Sequence, residues 1–596
     1  MTAQTMTAET MIARTMTPDL DYARLVRKSK RLDPIAGARN LRIAILSDAA
    51  SQQFVPLLRA LFHENCVNAE IYEGAFDALE LEILNPASAL YAFEPQVVVL
   101  ANCTQALRDR YYQNGAGDFV DASARRIEQI WDALQKHSTA RIIQCNYSLP
   151  YERPFGNYDL KVPQSFYSSA AALNLRIAEL ARARPNVLLC DVEAIASYIG
   201  RKHWFDDRLW NMAKSFCRLD HLPLAAQAIV DIVLAAFGRV AKCVVLDLDN
   251  TLWGGIVGDD GPLGIAIGPH GDGEAFYRFQ QYLRSLKQRG ILLAVCSKNG
   301  MENAESPFLE NPEMLLRRDD FAVFVANWEN KADNLRTIRE TLAIGFDSIV
   351  FLDDNPFERN LVRELLPEVI VPELPEDPAD YVRVLNELNL FETASFSAED
   401  LARADLYRQE AGRREVARSF SNIDDYLKSL DMKIEVARFE PAKLPRIAQL
   451  IQRSNQFNLT THRYNEAECE RMMLDHEQWV PLYASLSDRF GDHGLISVVI
   501  LHRTPEALAI CDWLMSCRVL SRGVEQFLMN RVVAIALDQR LPGLTGEYLP
   551  TAKNSMVKEF FAQFGFQKIA DQDGRTEWHL DPAAYQPRTV YIREGE

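Results

Sequence analysis

The stretch Lys242–Thr251, KCVVLDLDNT, carries a short apolar run straight into two aspartates one residue apart. Val244, Val245 and Leu246 are the residues of a strand buried on both faces, as in a parallel sheet. Ligands of open α/β sheets bind at the carboxyl ends of such strands, where these acids lie. Strand alternation predicts Asp247 and Asp249 on the same side. The pattern recurs further on, where the apolar SIVFL (348–352) runs into Asp353 and Asp354. Crowded carboxylates repel one another unless a cation neutralises them, and hard oxygen ligands suit Mg²⁺. Between the two acid-tipped strands come Ser297, ending the apolar ILLAVC, and Lys331, opening a helical stretch. A hydroxyl and an ammonium there could hold a phosphoryl group. A lone Asp-x-Asp is commonly a strand-end cap; four such elements in this order are not.

These elements resemble the haloacid dehalogenase (HAD) superfamily of phosphotransferases. The resemblance implies that Asp247 is the nucleophile forming an aspartyl phosphate and Asp249 the general acid/base. It implies that Thr251, Ser297 and Lys331 bind substrate phosphate, and that Asp247, Asp249, Asp353 and Asp354 bind Mg²⁺. Longer strings carry a closer resemblance: DLDNTLWGGIVGDDG, CSKN, NWENK, FLDDNPFERN, RSNQFNLTT, FGDHG and MSCRVLSRG all look like the FkbH-like branch. That branch implies an enzyme that takes D-1,3-bisphosphoglycerate, exchanges the acyl phosphate for a thioester and removes the 3-phosphate. The product would be a glyceryl unit on an acyl carrier protein for polyketide-type biosynthesis, the carrier supplying its phosphopantetheine. Two other readings stay open: a plain phosphohydrolase of a small metabolite, and a non-catalytic carrier-protein scaffold.

The Gly-rich segment between Thr251 and Glu274 has room for a flap and not for a cap domain. An uncapped site admits a bulky partner, at the cost of excluding water less well. Cys296 precedes Ser297 and is a candidate acyl-accepting thiol. Adjacent strand residues face opposite sides, however, so a Ser297 that faces phosphate leaves Cys296 in the core. His493 and His462 are candidate bases, and Cys517 is a second thiol candidate. Arg317, Arg318, Arg359 and Arg363 are candidates for a basic docking patch.

Working outward, alternating apolar runs and amphipathic stretches from Leu41 predict a parallel α/β domain over 41–238. A HAD-like domain over 239–380, a charged helical connector over 381–431 and a third α/β domain over 432–596 come after it. Residues 1–40, opening with a repeated Thr/Met/Ala phrase, are expected to be an irregular extension. The first domain resembles the SGNH-hydrolase fold, but Ala49 follows Ser47-Asp48 where that fold has its serine nucleophile. Asp220-His221 is adjacent where the usual pair is spaced, so a non-hydrolytic domain is expected. Ser47 and Ser51 are the remaining hydroxyls there. The third domain resembles the GNAT acyltransferase fold. Its loop Arg518-Val-Leu-Ser-Arg522-Gly523 opens a helix whose amides could take a pantetheine phosphate, with Asn554 as a further contact. Ser521 in place of glycine argues against a firm grip on the cofactor, and Phe561, where an acid tyrosine is usual, argues against acetyl transfer.

Composition sets outer limits. The 596 residues are 48% hydrophobic and 25% charged, which fits folded domains. A net charge of −17 disfavours nonspecific nucleic-acid binding. Ten scattered cysteines form no metal or disulfide pattern, so reduced thiols in the cytoplasm are expected. No apolar run reads as a membrane span of about 18 residues.

Overall fold

The computed structural model of the chain describes residues 20–115, 117–395, 422–454, 456–516, 519–551 and 554–595. Two compact units divide between Ala236 and Phe237.

The first unit is a parallel sheet of five strands: β1 (Arg39–Ser47), β2 (Val67–Glu73), β3 (Val97–Ala101), β4 (Arg141–Cys145) and β5 (Val187–Cys190). Their order is β2-β1-β3-β4-β5. The chain leaves β1 toward one edge and returns to β3 on its other side, so strand order reverses between β1 and β3. Such a reversal opens a crevice beyond the strand ends. The expected irregular extension needs correction. Residues Tyr22–Ser29 form a helix, N-capped by Asp21, whose side chain accepts from the Arg24 amide at 2.6 Å. Leu25 is fully buried, and Arg24 and Lys28 both pair with Glu64, at 2.7 and 2.9 Å. The expectation of no span-like apolar run also needs correction. The 18-residue stretch Leu219–Ala236 is long and apolar enough to cross a bilayer. Within it, the helix Leu222–Ala236 buries Ala225, Ile229, Val230 and Val233 in this unit's core.

The second unit begins with four parallel strands, β6 (Cys243–Leu246), β7 (Leu292–Ser297), β8 (Val323–Ala326) and β9 (Ile349–Leu352), ordered β8-β7-β6-β9. Register aligns the strand ends. Leu246 pairs with Leu352 and also with Val295, so the acid-tipped ends of β6 and β9 finish level with each other. Each strand is buried on both faces. Val244, Leu246, Leu293 and Val295 enter one core cluster, while Val245, Ala294 and Cys296 enter the other. The segment after Thr251 is a flap: a short helix Val257–Asp260, an antiparallel bridge Gly254–Ala266, and Trp253 packed edge-on against Phe308.

The rest of this unit carries a sheet of eight strands, from β10 (Met432–Arg438) to β17 (Ile592–Glu594). With the helices that alternate with its strands it is an α/β fold, as the sequence predicts, and its sheet is mainly antiparallel. Long alternating strands joined by tight turns, such as β11 (Trp479–Asp488) into β12 (Gly491–Arg503), favour antiparallel pairing. The parallel pair β13 (Leu508–Met515) and β14 (Leu544–Tyr548) brackets the helix Val524–Asp538, the arrangement expected of a GNAT-like fold. Of the expected connector, residues 396–421 lie outside the described residues; Tyr381–Glu387 and Ile423–Ser429 are helical.

Candidate active site

Because β6 and β9 end level, Asp247 and Asp353 emerge side by side, and Lys331 reaches both. Its ammonium lies 2.9 Å from Asp247 Oδ2 and 2.5 Å from Asp353 Oδ2. Lys331 sits in the first turn of the helix Lys331–Leu342, N-capped by Asn330. Lys331 is 2% exposed and Asp353 fully buried. Burial alone would push the lysine's pKa down, but the charges of Asp247 and Asp353 outweigh it and hold the pKa above the ordinary value. The Asp353 carboxyl is pushed up, first by burial and then by the charge of Asp247. Asp354 is raised for the same two reasons.

Asp247, Asp353 and Asp354 each bring a carboxylate oxygen within 4.8 Å of the others. One lysine does not neutralise three carboxylates. Asp247 Oδ1 is moreover buried without a hydrogen-bond partner among the described residues. An all-oxygen donor set with surplus negative charge and an orphaned oxygen fits a hard divalent cation such as Mg²⁺.

Asp249 is not part of this cluster, contrary to the metal-ligand expectation. Its Oδ1 accepts from Trp253 Nε1 at 2.9 Å and the Val257 amide at 3.0 Å, and its Oδ2 accepts from Asn299 Nδ2 at 2.7 Å. The strand has already ended at Leu246, and Asn250 turns with φ 54°, so the alternation rule no longer applies. Thr251 is fully buried with its hydroxyl on Asp354: Oγ1 donates to Asp354 Oδ1 at 3.2 Å and accepts from the Asp354 amide at 3.0 Å. It braces the acid cluster and leaves no free hydroxyl for phosphate. Ser297 ends β7 beside Asn299, whose Nδ2 lies 3.5 Å from Ser297 Oγ. Sequence reasoning misses Asn299; the CSKN string contains it, but only the fold brings it to Asp249.

Cys296 is the clearest correction. It is fully buried, its Sγ faces the Lys331 carbonyl at 3.8 Å, and burial pushes its pKa well up. It is a packing thiol in the core beside Ala294 and Leu335. The four candidate docking arginines are likewise committed elsewhere. Arg359 is 4% exposed and donates to the carbonyls of Asp353 and Asp354, both at 2.8 Å, and to Glu373 at 2.7 Å. Arg363 ties to Val371 O and Glu373, Arg318 to Glu305, and Arg317 to the carbonyls of Phe308 and Asn311. Arg359 thus clamps the backbone that carries the acids.

The expected pantetheine contacts are also otherwise engaged. Asn554 is fully buried: Nδ2 donates to the carbonyls of Asn458 and Leu549, and Oδ1 accepts from the Thr551 amide. Arg522 is 5% exposed and lies against Asp488 and His493. Gly523, at φ 85°, caps the helix Val524–Asp538, but Glu525 in its first turn accepts the Ser521 amide at 3.3 Å. A carboxylate already at a helix N-terminus competes with a phosphate for the same amides. His493 is paired with Asp488 at 2.8 Å, and His462 Nδ1 lies 3.0 Å from Thr460 Oγ1. Phe561 is core. Arg518 and Cys517 lie outside the described residues.

In the first unit, Ala49 is buried at the expected nucleophile position. The Ser47 hydroxyl donates to Ala101 O at 2.7 Å and accepts the Ala49 amide at 3.0 Å, while Ser51 donates to Glu73 at 2.7 Å.

A buried carboxylate at a strand end, a lysine bridging it to a second acid, and a third acid beside them define a phosphotransfer site on a HAD-type fold. Comparison with known proteins agrees. Residues 42–234 match the model of the FkbH N-terminal domain. The N-terminal part of the protein BF1531 from Bacteroides fragilis, which contains a phosphatase domain and was crystallised with Mg, is 42% identical. The match covers 63% of this chain and 100% of that one, with a TM-score of 0.60. The chain belongs to the FkbH-like family and is a HAD-type phosphatase. The ribosomal-protein-S18-alanine N-acetyltransferase from Escherichia coli is also similar, at 11% identity over 26% of this chain and 99% of that one, with a TM-score of 0.21. No curated protein matches the chain by sequence.

Proposed function

We propose that the chain is a Mg²⁺-dependent glyceryltransferase/phosphatase that takes D-1,3-bisphosphoglycerate and loads its glyceryl unit as a thioester onto an acyl carrier protein. The observation that carries the reading is Asp247: one oxygen is fixed on Lys331 and the other is buried and unpartnered among the described residues. A carboxylate so held is oriented for attack and not satisfied by the protein. Asp247, Asp353 and Asp354 would hold Mg²⁺, which fits the Mg in the BF1531 crystals. Bound there, the ion would offset charge on the transferring phosphoryl group.

Asp247 attacks phosphorus, the P–O bond to the glyceryl carbon's oxygen breaks, and that departing oxygen takes a proton. Asp249, steadied by Trp253, Val257 and Asn299, is the group to give that proton and later to take one from the hydrolysing water. Lys331 neutralises phosphoryl oxygens. In the acyl step a thiol attacks the acyl-phosphate carbonyl, a C–S bond replaces the C–O bond, and inorganic phosphate leaves. With Cys296 buried, the attacking thiol is the carrier's own pantetheine sulfur.

Intact mass of a carrier protein after incubation with enzyme, Mg²⁺ and donor tests the reading. A carrier heavier by one unphosphorylated glyceryl group is the expected result. Phosphate release with an unchanged carrier would make the chain a plain phosphohydrolase, and neither signal would make it a scaffold.

A further inference from the structure

The first unit holds a second place where chemistry is poised, independent of the phosphatase site. Beyond the carboxyl ends of β1, β3 and β4, a cavity of about 440 Å³ opens, lined by Asp48, Asn102 and Tyr147 from the segments after those strands. It sits where strand order reverses, which is where sheets of this kind bind ligands. Its size is that of a small-molecule site, for which about 300–1,000 Å³ is usual. Ala49, Asp220 and His221 do not line it, so it is not a remnant of an ester-cleaving centre.

Part of the lining is apolar, with Leu79, Leu84, Leu107, Ile127 and Ile130. The rest has more donors than the described residues use. Arg110 has a single acceptor among them, Asp48 Oδ2, at 3.3 and 3.4 Å. Those contacts are long against the roughly 2.7–2.9 Å of a charge-assisted bond. The other oxygen of Asp48 is held by the Cys103 amide at 2.7 Å. Arg126 engages Glu80 through Nε, and its terminal nitrogens have no acceptor among the described residues. Tyr147 is 2% exposed and its hydroxyl has no partner among them; burial raises its pKa, so it stays a donor. Asp48 and Glu80 balance the two guanidinium charges without filling their hydrogen-bonding positions, and the exposed Asp77 completes the charged lining.

We propose that this cavity binds a small organic anion: a carboxylate or phosphate head on Arg110, Arg126 and the Tyr147 hydroxyl, with a short apolar chain along Leu84, Leu107 and Ile127. The Tyr147 hydroxyl donates to no group among the described residues and faces the cavity, so an arriving anionic oxygen can accept from it.

Titration calorimetry on the full chain tests this with four probes: hexanoate, hexyl phosphate, inorganic phosphate and 1-hexanol. One of the two amphipathic anions should bind with one-to-one stoichiometry, at least about tenfold tighter than hexanol or phosphate, since a charge-assisted hydrogen bond is worth that much. The two anions separate a carboxylate site from a phosphate site. Arg126→Gln and Tyr147→Phe should each weaken that binding roughly tenfold without lowering the melting temperature of the free protein. Arg126 is partly exposed and the Tyr147 hydroxyl holds nothing, so neither variant threatens folding. Hexanol binding as tightly as the anions, wild-type affinity in both variants, or no saturable heat with any probe would each overturn the proposal.

Discussion

Two parallel sheets in this chain each carry an inner strand into an aspartate, Asp48 after β1 and Asp247 after β6. The two acids are almost equally buried, at 7% and 8% exposure. Their surroundings differ. Asp48 has an amide on one oxygen and an arginine and an asparagine near the other. Asp247 shares one lysine with a second carboxylate, has a third beside it, and keeps one oxygen unpartnered among the described residues. A strand-end acid is therefore no evidence of catalysis by itself. What marks the reactive sheet is negative charge in excess of what the protein supplies to neutralise it.

The largest effect should come from Asp247→Asn. Phosphate release should fall by roughly four orders of magnitude, as losing a nucleophile does elsewhere. The melting temperature should hold or rise, because the change removes one of three crowded charges. A Tm that collapsed would mean Asp247 is structural.

Lys331→Met comes next. It should cut phosphate release by on the order of 100-fold. It should also cost stability by about 3–5 kcal/mol, because it leaves two buried carboxylates without their cation. Added Mg²⁺ should recover much of the lost Tm; calorimetry in EDTA against Mg²⁺ checks this, and no recovery would break the account of the acid cluster as a cation site.

On the other sheet, Ser47→Ala removes two hydrogen bonds and should cost about 1–3 kcal/mol while leaving phosphate release unchanged. Turnover of short acyl esters that disappears in this variant would show that the first sheet is catalytic after all. The smallest effect should be Cys296→Ala. A void of one sulfur atom costs about 1–2 kcal/mol, and carrier loading should keep its rate. In the native wild-type protein, Cys296 should also resist iodoacetamide at pH 8, read by peptide mapping.

Much of the site was legible because strand ends are written locally. Apolar runs at Cys243–Leu246, Leu292–Ser297 and Ile349–Leu352 placed Asp247, Ser297, Asp353 and Asp354, and a helix start placed Lys331. What was not legible depends on distant partners or on where a strand stops. Asp249 obeys alternation on paper, yet the chain turns at Asn250 and directs it to Asn299 and Trp253. Arg359 reads as a surface charge until the fold brings it to the carbonyls of the acid pair. Asn554 and Arg522 read as ligand contacts; the fold instead brings Asn554 to the distant Asn458 carbonyl as well as to its own loop, and Arg522 to Asp488. For Cys296 the opposite-face rule was the better guide, since its neighbour Ser297 ends the strand while Cys296 enters the core.

The central claim is that Asp247 becomes covalently phosphorylated. Full-length protein turning over a phosphomonoester with Mg²⁺ can be quenched in borohydride, which reduces an aspartyl phosphate to homoserine. Peptide mapping should then find homoserine at position 247 and unmodified aspartate at positions 48, 249, 353 and 354. Continued phosphate release with intact aspartate at 247, or homoserine at another of these positions, would contradict the account.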